Sequence, residues 1–140
     1  MIVSEKKKTV CGSKDVSEVL LSLLNVEQEH DREKEHFWVL GLNTKNVIQY
    51  ADLVSLGSLS AAIVHPRETF RLAVQKATAN IVIGHNHPSG DTQPSQEDML
   101  LTKRLSQAGE ILGINVLDHV IIGSEGKYFS FCDNGLIRKG

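Results

Sequence analysis

An apolar run that ends in two histidines constrains this chain more than any other stretch. Residues 80–98 read NIVIGHNHPSGDTQPSQED. The apolar opening of NIVIGHNH (80–87) marks it as a strand in the middle of a sheet. Side chains alternate along a strand, so His85 and His87 face one side and Asn86 the other. Pro88, Ser89, Gly90 and Asp91 form a turn cluster that reverses the chain. Pro94 and Ser95 then start a helix, and Ser95 and Asp98, three apart, share its first turn. A strand end and a helix start joined by a short loop can bring four polar groups to one point.

Two imidazoles and one carboxylate form a typical three-ligand set for catalytic zinc, with a fourth position left to water. The pKa of such a water can fall to about 7. Each piece alone has an ordinary explanation. A histidine near a strand end is more often a plain polar residue, and Ser95-x-x-Asp98 is more often a capping box. The joint pattern, H-x-H-x7-S-x-x-D, is expected by chance on the order of once in 10³ chains of this length. Capping and metal binding are compatible, because Asp98 has two carboxylate oxygens and Ser95 can cap with its own.

The remaining text supplies a setting for such a site. Residues 1–12 read as a flexible, lysine-rich lead-in, frayed or forming an edge strand, and 13–140 as one domain, which suits a chain of 140 residues. Val16, Val19, Leu20, Leu23 and Leu24 have helical spacing over 13–24, with Ser13 as the expected N-cap. The charged stretch 25–35 reads as a solvated connection or short helix. HFWVLGLN (36–43) and NVIQYADLVSLG (46–57) read as two strands of a hairpin. Pro66 opens a helix expected to run to about Thr78, with Phe70, Ala73, Val74 and Ala77 on one face. A helix over 95–112 carries Met99, Leu101, Leu105, Ala108 and Leu112. Strands are expected over 114–123 and 127–134. Alternating strands and helices after an opening hairpin argue for an α/β fold, a mixed sheet flanked by helices.

Composition excludes several classes. Net charge is −2 and the isoelectric point is about 6.3, so nothing draws the chain as a whole toward phosphate. No apolar run approaches the length of a membrane span. MIVSEKKKTV places charges where a signal peptide needs its apolar core. The two cysteines, Cys11 and Cys132, form no CxxC and suit a reducing cytoplasm.

The H-x-H-x7-S-x-x-D pattern resembles the JAMM motif of the MPN/JAB metalloprotease superfamily. Residues 64–123, from VHPRETF through GHNHPSGDTQPSQED to LDHVIIG, resemble the bacterial RadC family, as does EHFWVLGLNTKN (35–46). The likeness covers nearly the whole chain from about residue 13. It implies a cytidine-deaminase-like α/β fold and one Zn²⁺ ion held by His85, His87 and Asp98. It further implies that Ser95 helps stabilise a tetrahedral oxyanion and that a glutamate before the first strand, matching Glu35, is the general base. Read from the residues alone, Glu27, Glu29, Glu33 and Glu35 all compete for that role, each more often a solvated charge. Glu35 is distinguished by abutting the apolar strand.

The reaction implied is hydrolysis of a peptide or isopeptide bond in a protein or peptide substrate. Two other readings are a DNA-repair accessory protein and a non-catalytic interaction module. Longer RadC members carry an N-terminal helix-hairpin-helix region that this sequence lacks, and the slight acidity weakens direct DNA binding. Filled motif positions argue against a module that has lost its metal. The loops 55–64 and 88–94 are expected to flank the cleft. Other features read as structural. His30 and His36 lie about 240° apart on a helix and share no face. His119 follows Asp118 in a strand, so the two face opposite sides, and His119 reads as structural. His65 and Arg67 read as helix-start anchors, with Arg67 a lesser candidate for a substrate carboxylate. Cys132 reads as a small apolar group in a strand, and Trp38 as core.

Overall fold

Strand β4 (Asn80–Asn86) lies inside a six-stranded sheet of order β1-β3-β2-β4-β5-β6. The computed structural model describes residues 2–4, 8–57 and 64–138. The other strands are β1 (Ile2–Ser4), β2 (Glu35–Leu42), β3 (Ile48–Gly57), β5 (Asn115–Ile122) and β6 (Tyr128–Ser130). Helices are α1 (Ser13–Asn25), α2 (Glu29–Arg32), α3 (Pro66–Thr69), α4 (Arg71–Gln75) and α5 (Gln96–Leu112). β4 and β5 are parallel, joined through α5, and every other pairing is antiparallel. A parallel pair needs such a crossover, whereas β2 and β3 close as a hairpin. The sheet is mixed and flanked by helices, as expected.

Alternation along the strands builds two cores. Phe37, Val39, Ile81, Ile83 and Ile121 pack with Leu101 and Leu105 of α5 on one face. Trp38, Leu40, Leu42, Val82, Val120 and Ile122 pack with Val16, Leu20 and Leu23 of α1 on the other. The period of two carries the α5 face through Ile81 and Ile83 to His85. Two glycines let partners approach closely. A Cβ on Gly41 would lie 2.0 Å from Tyr50 Cε1, on the residue directly opposite in the hairpin, and one on Gly84 would lie 2.4 Å from Leu20 Cδ1.

Several local expectations are corrected. The helix opening at Pro66 is interrupted at Phe70 (φ −98°, ψ −3°), so that α3 ends at Thr69 and α4 starts at Arg71 and ends at Gln75. The break sends Phe70, Leu72 and Ala73 inward, while Val74 is 58% exposed and Ala77 adopts a positive φ of 51°. In α5, Leu101 and Leu105 are buried, but Met99 and Leu112 face solvent. Ser13 does not cap α1: Gly12 holds the cap position, and the Ser13 hydroxyl is taken by Asp133. The last strand stops at Ser130, because Ser130 Oγ accepts Asp133 N–H at 3.0 Å and the chain turns. Cys132 therefore lies half-buried in that turn, not in a strand, and its N–H donates to Asp118 Oδ1 at 2.9 Å. Of the 1–12 lead-in, Ile2–Ser4 forms β1 and Thr9 bridges Val47. Of the loop expected over 55–64, residues 58–63 lie outside the described residues. Trp38 is core, at 1% exposure. Among the described residues, no helix is long and apolar enough to cross a membrane.

Gly41→Ala is expected to destabilise the fold by about 1–3 kcal/mol, since the Tyr50 ring must move to admit a methyl group. Urea denaturation measures this, and a midpoint equal to wild type contradicts the close approach.

Candidate metal centre

The end of β4 and the first turn of α5 place three donor atoms together. His85 Nε2 lies 2.9 Å from His87 Nε2 and 3.3 Å from Asp98 Oδ1, and His87 Nε2 lies 3.1 Å from Asp98 Oδ2. Ligands on a tetrahedral zinc with bonds near 2.0–2.2 Å stand roughly 3.3 Å apart. The two histidine nitrogens face one Asp98 oxygen each, and all three separations are about the edge length of such a site.

Local sequence sets each corner. His85 is fully buried at the sheet end and His87 is partly exposed, both on the α5 face. Asp98 is fixed by a reciprocal capping box: Ser95 Oγ accepts Asp98 N–H at 3.1 Å, and Asp98 Oδ2 accepts Ser95 N–H at 2.8 Å. Serine at the N-cap and a carboxylate three residues on satisfy two helix-end N–H groups. Ser95 accepts through its oxygen, which leaves its hydroxyl hydrogen to donate elsewhere.

The outer nitrogens of both rings are tied down, which determines their tautomers. His87 Nδ1–H donates to the Asp91 carbonyl at 2.8 Å, so Nε2 carries the lone pair. For His85 the logic runs through two further residues. Thr102 Oγ1–H donates to the Asp98 carbonyl at 2.7 Å, the helical i−4 position. Its oxygen must then accept from His119 Nδ1–H, at 2.5 Å. His119 Nε2 is thereby bare and accepts His85 Nδ1–H at 2.7 Å, leaving the His85 Nε2 lone pair aimed at His87 and Asp98. Phe131 stacks on the His119 ring at 4.5 Å and 8°. His119 reads as structural from the sequence; the fold puts it in contact with a member of the triangle.

Three electron-rich atoms thus converge with their own protons turned away, which calls for a cation or for protons between them. Electrostatics agree. Burial pushes the His85 pKa down, and burial pushes His119 well below the ordinary histidine value. The hydrogen bond to Asp98 raises the pKa of His87. Burial opposes ionisation of Asp98, but its contacts with the His85 and His87 rings outweigh it and hold that carboxyl far below the usual range. Among the described residues, His85, His87 and Asp98 form the one group of this kind able to hold a metal ion.

A cleft of about 560 Å³ opens beside the triangle, and its lining includes Glu35, His87, Pro88, Ser89, Ser95 and Asp98. Of the four glutamates in contention, Glu35 alone lines it. Glu27 faces His36 at 3.9 Å, and Glu29 and Glu33 are exposed. Of the loops expected at the cleft, 88–94 contributes Pro88 and Ser89. His65 caps α3 by accepting Arg67 N–H at 3.4 Å, as an anchor does, and Arg67 Nη1 contacts His65 Nε2.

The RadC-like JAB domain family model matches residues 12–136 of this chain. The chain belongs to the RadC-like JAB domain family. It is 46% identical over 136 residues to a UPF0758 protein of Methanosarcina barkeri, covering 97% of this chain and 57% of that protein. It is 50% identical over 114 residues to a UPF0758 protein of Desulforamulus reducens, covering 81% of this chain and 50% of that protein. Against a UPF0758 protein of Listeria welshimeri, the identity is 55% over 102 residues, 73% of this chain and 45% of that protein. The chain thus spans about half the length of the curated relatives it matches.

Within this RadC-like JAB domain, Thr102 and His119 are the site residues that sequence reading missed. The Asp118–His119 pair was visible, but its contact with His85 spans 34 positions. Asp118 lies on the opposite face, where it accepts from Ser130 Oγ at 2.6 Å.

His119→Ala is expected to weaken binding of a divalent ion about 10–100-fold, because His85 loses its orienting partner. Calorimetric titration with Zn²⁺ checks this, and unchanged affinity refutes the orienting role. Acid stability follows from the same buried rings. His85 and His119 stay neutral in the fold, while the unfolded chain protonates them below about pH 6.5. Their contribution is present above that pH and lost as pH falls through the folded values. His87, with its pKa raised, contributes fully below about pH 6.5 and loses its share as pH rises through its folded value. The urea midpoint of metal-free protein is therefore expected to peak near pH 6.5 and to drop by about pH 5. A midpoint that climbs on acidification would falsify the neutral assignment.

Proposed function

We propose that this domain is a zinc-dependent hydrolase of amide bonds, a peptidase or isopeptidase acting on a protein or peptide. The observation that carries this reading is the triangle of His85, His87 and Asp98 opening onto a cleft that also holds Glu35 and Ser95. His85, His87 and Asp98 hold the ion. Bound there, zinc supplies a Lewis acid that polarises a carbonyl and acidifies a water.

Glu35 takes a proton from the attacking water as its oxygen bonds to the carbonyl carbon. The carbonyl oxygen gains negative charge, and the Ser95 hydroxyl donates toward it. Glu35 then delivers the proton to the leaving amine as the C–N bond breaks. The low-lying carboxyl of Asp98 keeps it ionised, as a metal-holding group must be.

Purified protein is expected to hold about one zinc per chain, and His87→Ala to abolish this in elemental analysis. Glu35→Gln is expected to keep the zinc while cleaving none of the peptides that wild type cuts from a mixed-sequence library. Wild type without metal, or a Glu35→Gln variant as active as wild type, would end this reading. Loss of zinc in Glu35→Gln would reassign Glu35 as a metal-holding or structural residue.

A further inference from the structure

Asn86 stands between the two histidines, with its side chain on the α1 face and only 3% exposed. Its carboxamide makes two bonds across to β2 and to the residue just before it. Oδ1 accepts His36 N–H at 2.6 Å, and Nδ2 donates to the Lys34 carbonyl at 3.0 Å. Lys34 and His36 are the two neighbours of Glu35. The side chain of Asn86 therefore brackets the backbone of Glu35 on both sides.

The backbone ladder between β2 and β4 runs from Leu42↔Asn80 to Phe37↔His85 and stops there. Asn86 prolongs it with a side-chain amide where a peptide group would stand. A carboxamide suits this because it carries a donor and an acceptor in one plane, like a peptide. Aspartate offers acceptors only and would set an oxygen against the Lys34 carbonyl. Serine and threonine are one group short of spanning both partners. The His36 ring closes the same turn from its other side: Nδ1–H donates to the Lys34 carbonyl at 2.8 Å, and the ring stacks on Trp38 at 5.1 Å and 18°.

One three-residue stretch thus does two things. His85 and His87 place their rings on the α5 face, while Asn86 reaches through the opposite face to grip the chain at Glu35. Glu35 lines the cleft on the α5 side together with His87 and Asp98. We propose that Asn86 is a positioning residue that sets where the Glu35 carboxylate stands relative to the metal seat. Its importance for turnover rests on the zinc-hydrolase reading above; the placement itself is measurable without a substrate.

The test uses the full chain as wild type, Asn86→Ala and Asn86→Asp. It follows amide hydrogen exchange, zinc content, and the change in the Glu35 side-chain carboxyl ¹³C shift on adding Zn²⁺. In Asn86→Ala the His36 amide is expected to exchange about tenfold faster. Trp38 and Val39 keep their protection and zinc content stays at the wild-type value. The zinc-induced shift of Glu35 is expected to fall by roughly half or more. Asn86→Asp keeps an acceptor for His36 N–H, so that amide stays protected while the Glu35 response still falls. Should the alanine variant not fold, the aspartate variant decides on the same readouts. A wild-type Glu35 response in both variants overturns the proposal, as does a wild-type protein whose Glu35 ignores zinc. Loss of protection throughout β2 together with loss of zinc also overturns it, because Asn86 would then be merely structural. Absence of hydrolysis with these readouts intact counts against the proposed function alone.

Discussion

The pairing of β2 with β4, in the register Phe37↔His85, is the constraint on which the rest depends. It carries both apolar cores, since Phe37, Val39, Ile81 and Ile83 face α5 while Trp38, Leu40 and Val82 face α1. The same register brings Glu35 beside His87. A slip of one residue would turn every side chain of β4 to the other face, sending His85 and His87 toward α1 and Asn86 toward α5. The hydrophobic pattern that forbids such a slip therefore also protects the polar site. Packing and chemistry are specified by one set of contacts.

The polar end of β4 works by directing protons outward. Unpaired imidazoles buried in a sheet would be costly, yet here each outer N–H finds an acceptor: the Asp91 carbonyl for His87, and His119 for His85. The chain of donors ends on the carbonyl of Asp98, through Thr102. Asp98 thus takes part twice, with its carboxylate at the triangle and its backbone at the far end of the relay. His87 and Asp98 face each other across one shared seat for positive charge, which is why the raised pKa of His87 and the lowered pKa of Asp98 belong to one interaction.

Where sequence reading succeeded, the determining contacts were short in sequence. The alternation of NIVIGHNH, the turn at Pro88–Asp91 and the Ser95/Asp98 box all act within a few residues. Where it erred, a distant partner had intervened. Ser13 is a good N-cap by type, but Asp133 recruits its hydroxyl. Residues 127–134 have strand character, but Asp118, 12 to 14 positions away, accepts Ser130 Oγ–H and Cys132 N–H where the chain turns. The helix from Pro66 breaks so that Phe70 and Leu72 can both enter a core whose shape comes from α5 and the sheet.

The sequence by itself determined that this chain builds a mixed α/β sheet, and that two histidines on one strand face meet a carboxylate on the next helix. Those outcomes follow from periodicity and capping, which are properties of neighbouring residues. Only the tertiary structure decided which of four glutamates reaches the cleft, that His119 and Thr102 orient His85, and that Asn86 grips the chain on either side of Glu35. Each of these depends on strand order and register, which join residues 17 to 52 positions apart. Local chain preferences do not encode such meetings; burial of two apolar faces against one sheet does.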